Sequence, residues 1–468
     1  MQTEKSKQLG NKNIHKLLIS LAIPATLGMM INALYNLADT IFVGRGVGEI
    51  AIGALSLAFP VQMIIMSAGL MIGVGSASVF SRAYGRNDED TMNVTVNTAL
   101  RVNIILASTL TILGFIFIDE LLLFFRATES NIGYAKDYLS IVLLGLVPLT
   151  LSMVLNNLTR AEGRVRVAMY SMVIGAGLNI ILDPFFIFDE LVIFGLNFPT
   201  LGLGVKGAAI ATVIAQVVRF FYIFLMTFRP DSVLYINLKK LVVFNFTIMK
   251  EIFLVGVPTF LRNAIGAFLT IFIFIMIEQY TSGDHAIYVS IFGVINRIIL
   301  FLFMPAFGLV QGLAPIAGYN YGAKNYRRLI DVSKFAAKIL LAYFTITFIA
   351  VQLFAPYIFT LFNSDSNDFF IHYGSNTMKI ISIGFSLVSF QILMSSIYQS
   401  FGYAKRAMFV ALSRQFILFV PLVFLFTYFF ELQGLWYTFF VADILSGLLA
   451  LAMFLYEMHI LKKKANYA

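Results

Sequence analysis

The sequence predicts an all-α polytopic membrane protein: twelve transmembrane helices in two six-helix lobes, related by a pseudo-two-fold axis along the membrane normal. Three observations predict it. The 468 residues are 59% hydrophobic and 12% charged, with mean hydropathy +0.87, whereas a soluble chain carries about 25% charged residues. Apolar stretches long enough to cross a bilayer, which needs about 20 residues, recur along the whole chain. Short sequences from the first half also return at matching places in the second.

The first six spans are expected near 17–43, 51–81, 93–118, 134–158, 167–188 and 205–228. The second six fall near 250–278, 286–316, 335–362, 376–401, 407–429 and 434–460. With the N-terminus inside, the cytoplasmic loops hold Lys12, Lys16, Arg82, Arg86, Arg160, Arg164, Arg166, Arg229, Lys239, Lys240, Lys324, Arg327, Arg328, Lys405, Arg406 and Lys462 to Lys464. The outer side holds Arg45, Arg126, Lys136, Lys206 and Lys379. This excess places both termini in the cytoplasm and requires an even number of spans. It also accounts for the net charge of +9 without nucleic acid. The expected setting is a cytoplasmic (inner) membrane.

The polar connection 229–250 divides the chain into an N-lobe, 1–228, and a C-lobe, 251–468. LAIPATL (Leu21 to Leu27) returns as VGVPTFL (Val255 to Leu261), and SRAYGRND (Ser81 to Asp88) as GYNYGAKN (Gly318 to Asn325). RAEGRVRVAM (Arg160 to Met169) returns as QSFGYAKRAM (Gln399 to Met408). Six spans per repeat make the two copies parallel in topology, and such repeats hold their pathway between the halves near mid-membrane. Gly69, Gly73 and Ala77 in the second helix read as a close-packing face. GLGVKG (Gly202 to Gly207) matches a dinucleotide fingerprint by chance, since no strand precedes it.

Composition excludes several chemistries. There is no cysteine, so no disulfide and no thiolate chemistry. The four histidines fall in loops or at helix ends and form no HExxH pattern, so no catalytic metal centre is expected. No nucleophile–base pair is visible, and the chain is not read as an enzyme or as holding a cofactor.

What chemistry there is lies in two carboxylates. Asp39, in YNLADTIFVG (Tyr35 to Gly44), sits inside the first span, where a charge costs roughly 2.5–3.5 kcal/mol on insertion scales. Its stem is too short to reach the headgroups. Asp183, in NIILDP, lies four residues after Asn179 and so shares its helix face. Pro184 bends that helix and frees a backbone oxygen beside the acid. Asn156 and Thr212 offer further oxygens at plausible depth. Two carboxylates in one poorly hydrated pocket cannot both stay ionised cheaply, so the pair takes a proton or binds a cation. Na+ would be held by Asp39, Asn179, Asp183 and Thr212.

YNLADTIFVG with Gly53, Ala54 and Pro60, then RAEG, NIILDP and GAAIAT (Gly207 to Thr212), resembles the MATE family of multidrug and toxic compound extrusion antiporters over nearly the whole chain. The resemblance implies export of organic, mostly cationic and aromatic compounds in exchange for H+ or Na+ by alternating access. It implies a first-lobe cation site at Asp39, Asn156, Asn179, Asp183 and Thr212. The NorM-like branch carries carboxylates in the seventh and tenth helices, where this chain has Ile265 and Gln391. The chain therefore resembles the DinF-like branch, in its MepA-like bacterial group, with coupling confined to the first lobe.

Nineteen methionines and forty-eight phenylalanines suit a cavity for flat apolar cations, with Met29, Asn32, Tyr35 and Met172 as its first-lobe wall. A functional monomer is expected. The alternative is a flippase for a lipid-linked oligosaccharide from the same superfamily, supported by Arg262 and Arg297 in the second lobe. Arg297 and Asp443 lie at similar depths by helix rise, which predicts that they form a structural ion pair.

Overall fold

The computed structural model describes residues 9–125, 131–193, 196–236, 245–281, 283, 285–362 and 367–467. Its helices are apolar on most sides, the pattern of segments surrounded by lipid or other helices. α1 (Ile14–Gly46) and α2 (Glu49–Arg86) come first. Asp88 caps α3 (Glu89–Ile116) by accepting the Thr91 amide at 3.0 Å. Bonds from the Thr91 side chain and backbone hold the Asp88 carboxyl below its usual range. After the short α4 (Ile118–Phe124), α5 (Ile132–Leu144) and α6 (Leu146–Ala161) meet at a 52° bend. Next come α7 (Val165–Ile187), a hairpin of β1 (Leu191–Ile193) and β2 (Leu196–Phe198) pairing Leu191 with Phe198, and α8 (Gly204–Thr227).

The second half runs α9 (Phe246–Tyr280), α10 (His285–Gly322) and α11 (Tyr326–Leu361). α12 (Asp368–Ser382) and α13 (Phe385–Phe401) again meet at 52°. α14 (Ala404–Leu412) passes through a π-helical turn, Ser413–Leu418, into α15 (Phe419–Tyr467). α15 is not one rod. Glu431 leaves helical geometry at φ 50°, ψ −134°, and the rings of Phe419 and Phe439 stand 4.8 Å apart. Twenty residues of straight helix would separate them by about 30 Å, so the chain doubles back. Among the described residues nine helices are long and apolar enough to span a membrane, or eleven with each bent pair taken as one span.

The repeated sequences fold alike. Asn87 and Lys324 are both left-handed, at φ 56° and 57°. In each copy the next residue's amide returns to a carbonyl of the helix just ended, Asp88 to Ala83 at 3.0 Å and Asn325 to Asn320 at 2.8 Å. Gly163 and Gly402 close the next matched pair of helices at φ 93° and 80°, as glycine does in left-handed C-caps. Gly402→Ala is expected to lower stability by about 1–2 kcal/mol, the strain of a side chain in that region. Unfolding in detergent measures it, and an unchanged midpoint would mean that the turn yields.

Close contacts group the chain into two compact units, Leu27–Phe260 and Gln8–Thr26 with Leu261–Ala468. The sequence reading divided it at 229–250, with 1–228 and 251–468 on either side. In the structure the beginnings of α1 and α9 group with the opposite halves, and each unit boundary falls two residues after a proline, Pro24 or Pro258. Glycines explain the grouping. In the first unit, Gly75 of α2 faces the Ile252 backbone and Gly256 of α9 faces the Met71 backbone, leaving no room for a Cβ. In the second unit, Gly308 and Gly312 of α10 meet the backbones of Thr26 and Ala22 in the same way. Gly69 and Gly73 do pack closely, against Thr150 and Asn157 of α6.

Candidate ion and substrate site

The first unit assembles the site from stripes of helical spacing. α1 presents Gly28, Asn32, Tyr35 and Asp39, and α7 presents Met172, Gly175, Asn179 and Asp183. Both sets keep the three- and four-residue steps that hold side chains on one face. Met172 and α1 touch: a Cβ on Gly28 would stand 3.1 Å from the Met172 sulfur.

Asn179 is the hub. Its amide donates to Asp183 Oδ1 at 2.9 Å and lies 3.4 Å from the Thr212 hydroxyl of α8. Asp183 is fully buried and Asp39 is 9% exposed. The charge of Asp39 is felt at Asp183, and Tyr35 stands in the field of both acids and of Arg219. Among the expected ion-site residues four buried oxygens have no hydrogen-bond partner: Asp39 Oδ1, Asp183 Oδ2, Asn179 Oδ1 and Asn156 Oδ1. Carboxylate and amide oxygens left in this way suit a hard cation or a proton. Among the described residues no group of three or more His, Cys, Asp or Glu is placed to hold a metal ion.

Asn156 stands apart from that hub. Its amide donates to Ser171 at 3.3 Å, eight residues before Asn179 and so about 12 Å along α7. Residues absent from the sequence reading also join the site. Tyr138 of α5 bonds Gln62 of α2 and lies in the fields of Asp39, Tyr35 and Asp183. Arg219 of α8 lays its stem against Gly175. Its sequence signal was available, since it follows Thr212 by seven residues, two turns on one face.

In the second unit the expected pairing of Arg297 with Asp443 does not occur. Arg297 is exposed, and buried Asp443 is held by Arg414, Nε to Oδ1 at 2.5 Å and an Nη to Oδ2 at 3.3 Å. Equal depth allows a contact, but the helix face decides it. Arg414 belongs to the π-helical turn, and its guanidinium also lies 5.7 Å from the Phe303 ring centroid. Gln391 donates to the Val410 carbonyl at 3.2 Å, beside that same turn.

A many-spanning helical fold with unpartnered carboxylate and amide oxygens buried inside it suits a protein that moves an ion or solute across a membrane. The chain belongs to the MatE family, whose model matches residues 24–185 and 258–425. It is 26% identical over 451 residues to the multidrug export protein MepA of Staphylococcus aureus, covering 96% of each. Among solved structures, the MATE multidrug transporter DinF-BH is 36% identical, with TM-score 0.85 over 95% of this chain and 96% of that one. An outward-facing MATE family transporter of the MOP superfamily is 27% identical, with TM-score 0.89 over 99% of this chain and 100% of that one.

Proposed function

We propose that this chain is a secondary active multidrug efflux antiporter that exports organic, mostly cationic and aromatic compounds in exchange for H+ or Na+. The observation that carries the reading is the set of unpartnered oxygens on Asp39, Asn179 and Asp183 inside the first unit. An arriving proton or sodium ion neutralises the acids and removes the charge that attracts a cationic drug. Release of the ion on the other side restores that charge, so the two ligands exclude each other. Met29, Asn32, Tyr35 and Met172 form the apolar and polar wall against which the drug packs, and Asn156 serves the inner part of the same pocket.

Counting the doubled-back α15 as two spans gives twelve, six to a lobe (1–228 and 251–468), with matched turns and matched bends supporting a pseudo-two-fold relation. The basic inner loops support an inner-membrane location with both termini cytoplasmic, and the protein works as a monomer. The flippase alternative rested on Arg262 and Arg297, but Arg297 is exposed and Arg262 stacks over Phe307 at 5.8 Å. Nothing else favours it. Inverted vesicles loaded by an imposed proton gradient, and separately by a sodium gradient, test the reading. Drug movement against its own gradient with at least one ion is expected, and movement with neither rejects ion coupling.

A further inference from the structure

Arg219 is a strong charge in the first-unit site that ion coupling leaves unused. It lies fifteen residues into α8 and eight from its end, about 22 Å and 12 Å from the two ends by helix rise. That depth is too great for a guanidinium to rest among headgroups. Gly175 seats its stem, since a Cβ there would stand 2.9 to 3.4 Å from the Arg219 Cδ, Cβ and Cγ. The arm is therefore held in place by packing. Side chains on a helix lean toward its N-terminus, which directs this one toward the level of Thr212 and Asn179.

Among the described residues the guanidinium has no counter-charge paired to it. Its Nε is buried without a hydrogen-bond partner, and among the described residues it makes no ion pair. The side chain as a whole is half-buried, so its fork is not sealed in protein. The charged and titratable groups that interact with it are Tyr35 on α1 and Arg160 on α6, and Tyr35 in turn stands in the fields of Asp39 and Asp183. Arg160 is close enough to add a second positive field. An unpaired guanidinium inside a membrane protein is costly, and such charges commonly find partners. Here two acids lie in the same unit, yet one oxygen of each, Asp39 Oδ1 and Asp183 Oδ2, and the Arg219 Nε all lack partners.

We propose that the first-unit pocket is bipolar and that Arg219 receives the acid group of zwitterionic substrates while the Asp39–Asp183 end receives their amine. Gly175 and Asp183 are eight residues apart on one face of α7, about 12 Å. That is the length of an aromatic scaffold with a basic group at one end and a carboxylate at the other. A planar guanidinium fork matches a carboxylate in two parallel bonds, which a lysine ammonium does not. Tyr35, between the two ends, offers the ring on which such a scaffold stacks.

The proposal rests on the export reading, and the test separates the two. Two forms of one rhodamine dye serve as probes: a zwitterion with a free carboxylate and its cationic methyl ester. Their binding to the purified full-length protein and their transport are measured in vesicles of phosphatidylcholine alone and of phosphatidylcholine with phosphatidylglycerol. Arg219→Gln is expected to lower the acid-to-ester affinity ratio about ten- to hundredfold, the usual worth of a bond to a charged group. Arg219→Lys is expected to restore part of that ratio, and it decides the matter if Arg219→Gln does not fold. An equal loss of both dyes marks a structural arginine and overturns the proposal. So does a ratio that moves only in phosphatidylglycerol vesicles, which would assign Arg219 to a lipid headgroup. If the wild type takes the ester and refuses the acid, the bipolar pocket fails and export stands. If it takes neither, both readings fail.

Discussion

Asp39→Asn is expected to abolish ion-driven efflux while leaving the protein folded and inserted. Asparagine keeps the shape of the side chain and loses only its ability to carry charge. Asp39 Oδ1 has no partner within the protein, so no internal hydrogen bond through that atom is given up. Removing a buried charge also relieves its desolvation, so thermal stability should hold or rise. Losing one charge-assisted contact to the ion or drug corresponds to about ten- to hundredfold in affinity, and losing exclusion between the two ligands removes coupling altogether. Efflux under imposed proton and sodium gradients, with unfolding measured in parallel, provides the check. A wild-type rate in either gradient would remove Asp39 from the site. Asp183→Ala is expected to weaken ion dependence more than drug binding measured without a gradient, because Asp183 is tied to Asn179 at 2.9 Å. Equal loss of both, at normal expression, would give Asp183 a folding role instead.

The spans, the repeat and the Asn179–Asp183 pair were legible because each follows from spacing within one segment. Four residues on a helix make one face, and a returning motif makes a returning turn. Asn179 therefore meets Asp183 as spacing requires, and Asn87 and Lys324 adopt the same left-handed geometry. What spacing could not reveal depends on which face meets which helix. The first half of α1 joins the second unit because Gly308 and Gly312 admit its backbone, and no local pattern in α1 announces that. Asn156 bonds Ser171, well over two turns before Asp183 on α7, and its sequence neighbours do not say which turn of α7 it meets. Helix rise puts Asp443 level with Arg297, but depth alone does not pick a partner, and nothing in the sequence around Arg414 marks it as the one Asp443 meets. The π-helical turn at Ser413–Leu418 shifts the register there by one residue relative to an α-helix, so face counting along that segment fails as well.

That arginine carries the largest expected effect on stability. Asp443 is 2% exposed, and Arg414 holds both of its carboxylate oxygens. Packing closes the pair in. A Cβ on Gly384 would collide with the Asp443 side chain, and the Phe303 ring lies beside the guanidinium. Asp443→Leu should therefore destabilise by about 3–5 kcal/mol, because it leaves a guanidinium in apolar surroundings without its partner. Arg414→Leu should cost a similar amount by stranding the acid. The double replacement should cost less than either, since a pair of well-packed apolar side chains removes both desolvation penalties. A double-mutant cycle on unfolding in detergent measures the coupling. Arg297→Leu belongs in the same series as a contrast: its side chain is exposed and shares no bond with Asp443, so it should leave the cycle unmoved. The ion preference should also stay the same in every member, because the proposed cation oxygens belong to the first unit. A double variant no more stable than either single one would mean that Arg414 and Asp443 are held by their surroundings and not by each other.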